Sequence, residues 1–271
     1  FSQRADDRPT AQALRDALAA GWSEAPESTP IELRRVTPEA SAVHSASPLP
    51  GKIAHYRILD LLGDGGMGTV YLAEQRSPML RKVALKVIKA GMDTAQVLAR
   101  FEAERQALAM MDHANVAAVF DAGSTDLGQP YFAMEYVPGV DIRAHCDALA
   151  LSFQQRIELF LQVCDGVMHA HQKGLIHRDL KPGNILVKRA QGQPSMVKII
   201  DFGVAKSLIG KLGQHTAHTR MGSFVGTPVY SSPEQVLGHR MDVDTRADIY
   251  SLGVVLYELL AGVTPYRDEE L

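Results

Sequence analysis

Three short stretches of this chain place acid and amide side chains where they can work on a phosphate. The run His177-Arg178-Asp179-Leu180-Lys181-Pro182-Gly183-Asn184 fits the pattern H-R-D-L-x-x-x-N and leads into the apolar stretch Ile185-Leu186-Val187. A carboxylate at Asp179 can accept the proton of an attacking hydroxyl, and Asn184, in the same loop, offers a neutral oxygen to a magnesium ion. Asp201 follows another apolar run, Lys198-Ile199-Ile200, and precedes Phe202-Gly203. It adds a second hard oxygen donor of the kind Mg2+ takes. Because these motifs occur together and in order, solvated surface aspartates explain them poorly.

The third stretch, Gly63-Asp64-Gly65-Gly66-Met67-Gly68, fits G-x-G-x-x-G, which several phosphate sites and many plain turns share. A dinucleotide fold would open a helix here and place an acid about twenty residues on. Instead, Thr69-Val70-Tyr71-Leu72 continues as a strand, and Lys86 stands near the position for that acid. A Walker A loop would end in Gly-Lys-Ser/Thr, whereas Gly68 is followed by Thr69 and Val70. What remains is a hairpin whose glycines let the backbone approach phosphates, or a structural turn; the pattern alone leaves both open.

Lys86 sits inside an apolar strand, with Val83, Leu85, Val87 and Ile88 around it. Glu104 follows in a helical segment, at i+3 from Phe101 and i−4 from Leu108, and so shares their buried face. Charges in such a stripe are paired. A Lys86 to Glu104 pair would satisfy both groups and aim the ammonium at a phosphate, whereas Glu102 turns about 100° away from Phe101 and reads as solvated.

These groups need a scaffold. Alternation predicts strands over Tyr56 to Leu62, Thr69 to Glu74, Lys82 to Lys89, Val116 to Ala122 and Tyr131 to Tyr136. Helical spacing covers Thr94 to Met111, Leu151 to Lys173 and Arg246 to Ala261. Strands first and helices later imply an α+β fold with two lobes. Residues 23–51 are rich in Ser, Pro, Ala and Glu, so 23–55 reads as a linker, behind a short helical segment at 1–22 carrying Leu14 and Leu18.

With 28 basic and 31 acidic residues among 271, the formal charge is −3, and 46% of residues are hydrophobic. That composition suits a folded domain and excludes a disordered tail or fibre. No basic run marks a nucleic-acid surface. The longest apolar stretch, Leu252 to Val263, is interrupted by Glu258 and is shorter than the ~20 residues that span a bilayer. The start at Phe1 shows no basic-then-apolar leader and reads as that of a fragment. Cys146 and Cys164 form no C-x-x-C pair and read as buried, reduced thiols of a cytoplasmic domain.

Gly63 to Val70, Val83 to Lys86, Glu104, His177 to Asn184, Asp201 to Gly203 and Ser232-Pro233-Glu234 together resemble the eukaryotic-like protein kinase family. Lys181 resembles its serine/threonine branch, and Gly-Gly-Met-Gly with Ser-Pro-Glu-Gln resembles its bacterial, Hanks-type members. The resemblance covers about Tyr56 to Leu271. It implies a two-lobed kinase domain over 56–271, with an N-lobe at 56–137 and a C-lobe at 138–271 that lacks the last helices of the family's large lobe.

The resemblance further implies ATP with Mg2+, or Mn2+, as cofactors and protein Ser/Thr hydroxyls as acceptors, the chain itself in trans among them. Asp179, Lys181, Lys86 and Glu104 would be catalytic, and Asn184 and Asp201 metal-binding. ATP would lie among Leu62, Gly63, Asp64, Gly65, Gly66, Met67, Gly68, Val70, Ala84, Lys86, Met134, Glu135, Val137 and Leu186, with Met134 at the back of the adenine pocket. The backbone of Glu135 to Val137 would bind the base, with Val70, Ala84 and Leu186 sandwiching its ring. Thr227 resembles the residue that helps choose serine or threonine, Glu234 the one that takes an arginine from the family's terminal helices, and Asp248 the one that holds the catalytic loop. Asp6 to Arg15 is similar to that terminal stretch, as though an upstream kinase domain ended here or the order were permuted, or is a stray amphipathic helix; on the first reading Arg8 is a candidate partner for Glu234.

Between Asp201 and Glu234 lies a polar segment with Thr216, Thr219 and Ser223, expected to be an activation loop phosphorylated at Thr219 or Ser223 and less readily at Thr216. Arg178 is the guanidinium such a phosphate would meet. His215 and His218, like His169 and His171, lack an adjacent third ligand, so no metal site is expected there. A pseudokinase scaffold would show loss of a catalytic position, and none is lost. A small-molecule kinase is disfavoured by Thr227 and Ser232-Pro233-Glu234, which resemble a peptide platform.

Overall fold

The computed structural model describes residues 49–66, 68–89, 111–188, 194–202, 228–236 and 243–266. Its first part is an antiparallel sheet of β1 (Lys52–Ile53), β2 (Tyr56–Gly65), β3 (Gly68–Gln75), β4 (Arg81–Ile88), β5 (Val119–Ser124) and β6 (Pro130–Glu135), ordered β1-β2-β3-β4-β6-β5. Alternation along β4 buries Val83, Leu85 and Val87 against Tyr56, Ile58, Ala73, Tyr131 and Ala133. Ala84 and Lys86 consequently face the other side of the sheet.

The second part is helical. α1 (Ile142–Ala148) is capped by Asp141, whose carboxylate accepts the Ala144 N–H at 2.8 Å. α2 (Phe153–Gln172) opens on a reciprocal capping box between Ser152 and Gln155. It buries Ile157, Phe160, Cys164 and Val167 at helical spacing, each large apolar side chain worth about 1.5–3 kcal/mol. After a short α3 (Pro233–Val236) comes α4 (Thr245–Ala261), which ends at Gly262 with φ +74°, the left-handed cap that glycine adopts without a Cβ penalty. Between the helices, β7 (Val140–Asp141), β8 (Ile185–Lys188) and β9 (Met196–Ile199) form a small antiparallel sheet. The main core runs from Val116 and Phe132 through Phe160, Val163, Ile185 and Ile199 to Leu252 and Leu259.

The α+β reading and the helices expected over Leu151 to Lys173 and Arg246 to Ala261 agree with this architecture; two boundaries and one short helix differ. The sheet begins at Lys52, inside the segment read as linker, because Lys52 and Ile53 pair with Arg57 and Tyr56. The strand expected over Val116 to Ala122 starts at Val119 instead, because the Ala117 N–H donates to the Ile199 carbonyl of β9 and the Asn115 carbonyl accepts the Ile199 N–H. The short α1 was not anticipated, since seven residues are too few for a periodic pattern to stand out. The expected helix over Thr94 to Met111 lies outside the described residues except for Met111, which is buried in the core. Among the described residues, no helix is long and apolar enough to cross a membrane.

Candidate active site

A cleft of about 450 Å³ lies between the sheet and the helical part. Its roof comes from Leu62, Gly63, Val70 and Ala84, its back from Met134, Glu135 and Val137, and its floor from Leu186, Asn184 and Asp201. Tyr136 of the expected hinge and Gly183 of the catalytic-loop motif also line it, and Ala117, Gly139 and Ile200, not singled out from the sequence, complete it. Its size and mostly apolar walls suit a small organic ligand. Met134 also lines a small recess behind the cleft with Lys86 and Phe202.

At the end of the cleft that meets this recess, Lys86, which lines the recess and not the cleft wall, stands between Val70 of β3 and Phe132 of β6 and makes an ion pair with Asp201, which lines both. Asp201 has φ +60°, a left-handed conformation that costs a non-glycine residue about 1–3 kcal/mol and persists only where its surroundings enforce it. The two groups that would meet phosphates and metal are therefore in contact, across 115 positions of sequence. Glu104, the partner expected for Lys86, lies outside the described residues, as do Met67, Thr216, Thr219, Ser223 and Thr227.

Asp179 sits beside this end. Asn184 donates its amide to the Asp179 carbonyl at 2.7 Å and to Oδ2 at 3.0 Å, while the Lys181 ammonium lies 3.1 Å from the same carboxylate oxygen. The 3-10 turn Pro182–Asn184 brings Asn184 round to make these bonds.

Two buried groups hold the loop in place. His177 is fully buried; its Nδ1 accepts the Asp179 N–H at 3.2 Å and its Nε2 donates to the Ile200 carbonyl at 3.1 Å. Only a neutral ring can do both, and burial pushes its pKa below the usual histidine value. Asp248, also fully buried on α4, accepts the His177 and Arg178 N–H groups at 2.8 Å each and faces His171 Nε2 at 2.8 Å. Gln235, next to Glu234 on α3, donates to the Arg178 carbonyl at 2.9 Å. Neither His171 nor Gln235 was foreseen; His171 lies beside the buried face of α2, and the four-residue α3 has no buried face to mark Gln235.

The glycine hairpin divides its labour. A Cβ on Gly68 would lie 2.4 Å from the Val87 carbonyl oxygen, so the approach of β3 to β4 demands glycine. A Cβ on Gly63 would meet no protein atom within 4 Å, so packing does not require glycine there. Asp64 turns back on its own hairpin: its carboxylate accepts from Thr69 Oγ1 at 2.9 Å and pairs with Lys89 at 3.0 Å. Lys89 first, then Thr69, holds it below the ordinary carboxylate range. Asp64, Gly65, Gly66 and Gly68 do not line the cleft wall.

No group of three or more possible metal ligands from His, Cys, Asp and Glu occurs among the described residues. His169 stacks on His113 at 5.1 Å, and His171 is occupied by Asp248. Cys146 and Cys164 are both buried.

Residues 56–271 match the protein kinase domain family. The chain is 40% identical over 234 residues to the serine/threonine-protein kinase Pkn1 of Myxococcus xanthus, covering 86% of this chain and 32% of that one. It is 39% identical over 218 residues to the serine/threonine-protein kinase PknB of Mycobacterium leprae, covering 78% and 33%. It therefore spans about a third of the length of these relatives. Among solved structures, the Mycobacterium tuberculosis PknI kinase domain superposes with a TM-score of 0.59 at 29% identity, over 83% of this chain and 80% of that one. Fold, cleft and matched sequence agree: the chain belongs to the protein kinase family, in the company of bacterial serine/threonine members, and that family works with ATP and a divalent metal.

Proposed function

We propose that this chain transfers the γ-phosphoryl group of ATP to serine or threonine hydroxyls of proteins, with Mg2+, or Mn2+ in its place, and that it does so in the cytoplasm. The carrying observation is the meeting of Lys86 and Asp201 at one end of a nucleotide-sized cleft that Asn184 also lines, with Asp179 bonded to Asn184 and Lys181.

The apolar walls at Val70, Ala84 and Leu186 would take the adenine, and the backbone of Glu135 to Val137 its polar edge. Asp201 and the amide oxygen of Asn184, whose nitrogen is committed to Asp179, form a hard-oxygen donor set that fits Mg2+. Bound there, the ion would neutralise charge on the phosphate oxygens. Lys86 would exchange Asp201 for a phosphate. Asp179 orients the acceptor hydroxyl and takes its proton as the new O–P bond forms and the bond from the γ-phosphorus to the β–γ bridging oxygen breaks, releasing ADP. Lys181 places positive charge beside the transferred group. Thr227 and Glu234 would belong to the platform receiving the protein substrate, and phosphate on Thr219 or Ser223 would find Arg178.

The test is intact mass and phosphosite mapping after incubation with ATP and Mg2+, beside an Asp179→Asn control. Phosphate gained only by the unaltered chain, on Thr219 or Ser223, is the expected result. Nucleotide binding without any phosphate gained, by this chain or by an added protein substrate, would replace the kinase reading with that of a scaffold.

A further inference from the structure

Lys198 of β9 pairs with Glu135, the last residue of β6, at 2.8 Å between Nζ and Oε2. Lys198 also donates to the Val116 carbonyl at 3.2 Å. The Glu135 carboxylate accepts the Ala118 N–H at 3.4 Å, and the Glu135 N–H donates to the Ala118 carbonyl at 2.8 Å. Asn115 and Ala117 in turn pair with the backbone of Ile199. Segment 115–118 is thus clamped between the strand end at the back of the cleft and the strand leading to Asp201.

The pair is sheltered, with side-chain exposures of 13% for Lys198 and 26% for Glu135, so water screens it less than a surface bridge. Val197 and Ile199 enter the core, which turns Lys198 to the opposite face beside its cross-strand partner Leu186. Leu186 and Glu135 both line the cleft. Lys198 precedes Asp201 by one short step of chain, Ile199-Ile200. Anything that moves Glu135 relative to β9 therefore moves the base end of the cleft relative to its metal end.

We propose that Lys198 and Glu135 are a positioning pair that sets the spacing between the base-holding end of β6 and the metal-holding Asp201. The inference rests on the kinase reading above. Neither side chain is assigned contact with the reacting atoms; the pair acts through the strands it joins. It makes affinity for the metal-bound triphosphate depend on an ion pair at the other end of the cleft.

Titration calorimetry with metal-free ADP and with ATP plus Mg2+ tests this on the unaltered chain, Lys198→Met, Glu135→Gln, Lys198→Arg and the swapped double variant Glu135→Lys, Lys198→Glu. Both neutralising variants are expected to weaken MgATP about tenfold and metal-free ADP by no more than about threefold. Lys198→Arg and the swapped variant should recover MgATP binding to within about threefold of the unaltered chain. Equal weakening of both ligands would mean a merely structural role and overturn the proposal. So would stronger MgATP binding by Glu135→Gln, which would show that charge alone matters. If Lys198→Met does not fold, Glu135→Gln carries the comparison. Failure of the unaltered chain to bind MgATP would overturn the kinase reading itself, whereas normal binding by every variant overturns only the role of the pair.

Discussion

Arg178 has a left-handed backbone, φ +64°, and its N–H donates to the buried carboxylate of Asp248 at 2.8 Å. The other carboxylate oxygen accepts the His177 N–H at the same distance. A helix residue 70 positions away thus holds the loop in a conformation that non-glycine residues avoid. Replacing Asp248 with Asn turns one acceptor into a donor facing an N–H, leaving a buried donor unpaired. Asp248→Asn should lower the unfolding free energy by about 1–3 kcal/mol, measured by denaturant titration. Its kcat should fall with the displaced Asp179; unchanged stability would show that the carboxylate does not hold the loop.

The glycine hairpin yields a separation of stability from binding. Gly68→Ala pushes a methyl against the Val87 carbonyl and should destabilise the domain by about 1–3 kcal/mol. Gly63→Ala meets open space and should change stability by less than about 0.5 kcal/mol while raising KM for ATP about threefold to tenfold. Thermal melts beside steady-state kinetics decide. Equal melting losses in the two variants would mean that both glycines are structural.

Much of this was legible beforehand, for a physical reason. Alternation in Val83-Ala84-Leu85-Lys86 and helical spacing in α2 are local consequences of which face is buried, so residue order alone shows them. The loop from His177 to Asn184 was recognisable because its fixed residue types serve one local geometry. Contacts that join distant segments were not legible. Lys86 with Asp201, Lys198 with Glu135 and His171 with Asp248 link residues 115, 63 and 77 positions apart, and periodicity carries no information about such partners. β1 and α1 were missed because they are too short for a period to repeat.

His177 gives the fold a dependence on acid. The ring is neutral when folded because burial disfavours its charged form and because Nδ1 must accept from Asp179. Its folded pKa therefore lies below the unfolded value of about 6.5, and the unfolded chain binds the extra proton first. The stabilisation is fully present above about pH 6.5 and is lost as pH falls from there through the folded pKa, at up to about 1.4 kcal/mol per pH unit. Denaturant titrations from pH 7.5 to 5.0 should show this slope, and His177→Asn should flatten it. An identical slope in the variant would assign the acid sensitivity elsewhere.

Asn184 carries two jobs in one amide, and they can be pulled apart. Its nitrogen donates to the carbonyl and carboxylate of Asp179, and its oxygen is the atom that would take the metal under the proposed function. Asn184→Asp keeps an oxygen donor but removes both hydrogen bonds and sets a second carboxylate about 3 Å from Asp179. Like charges that close repel, and the base loses its orientation. If positioning of Asp179 is the larger contribution, kcat should fall at least about 100-fold, the scale of a misplaced general base. Raising Mg2+ should then restore only a small part of it, because a filled metal site does not replace the lost donor. Initial rates across a Mg2+ series measure this directly. Full recovery at high Mg2+ would make Asn184 a metal ligand alone, with no part in aiming Asp179.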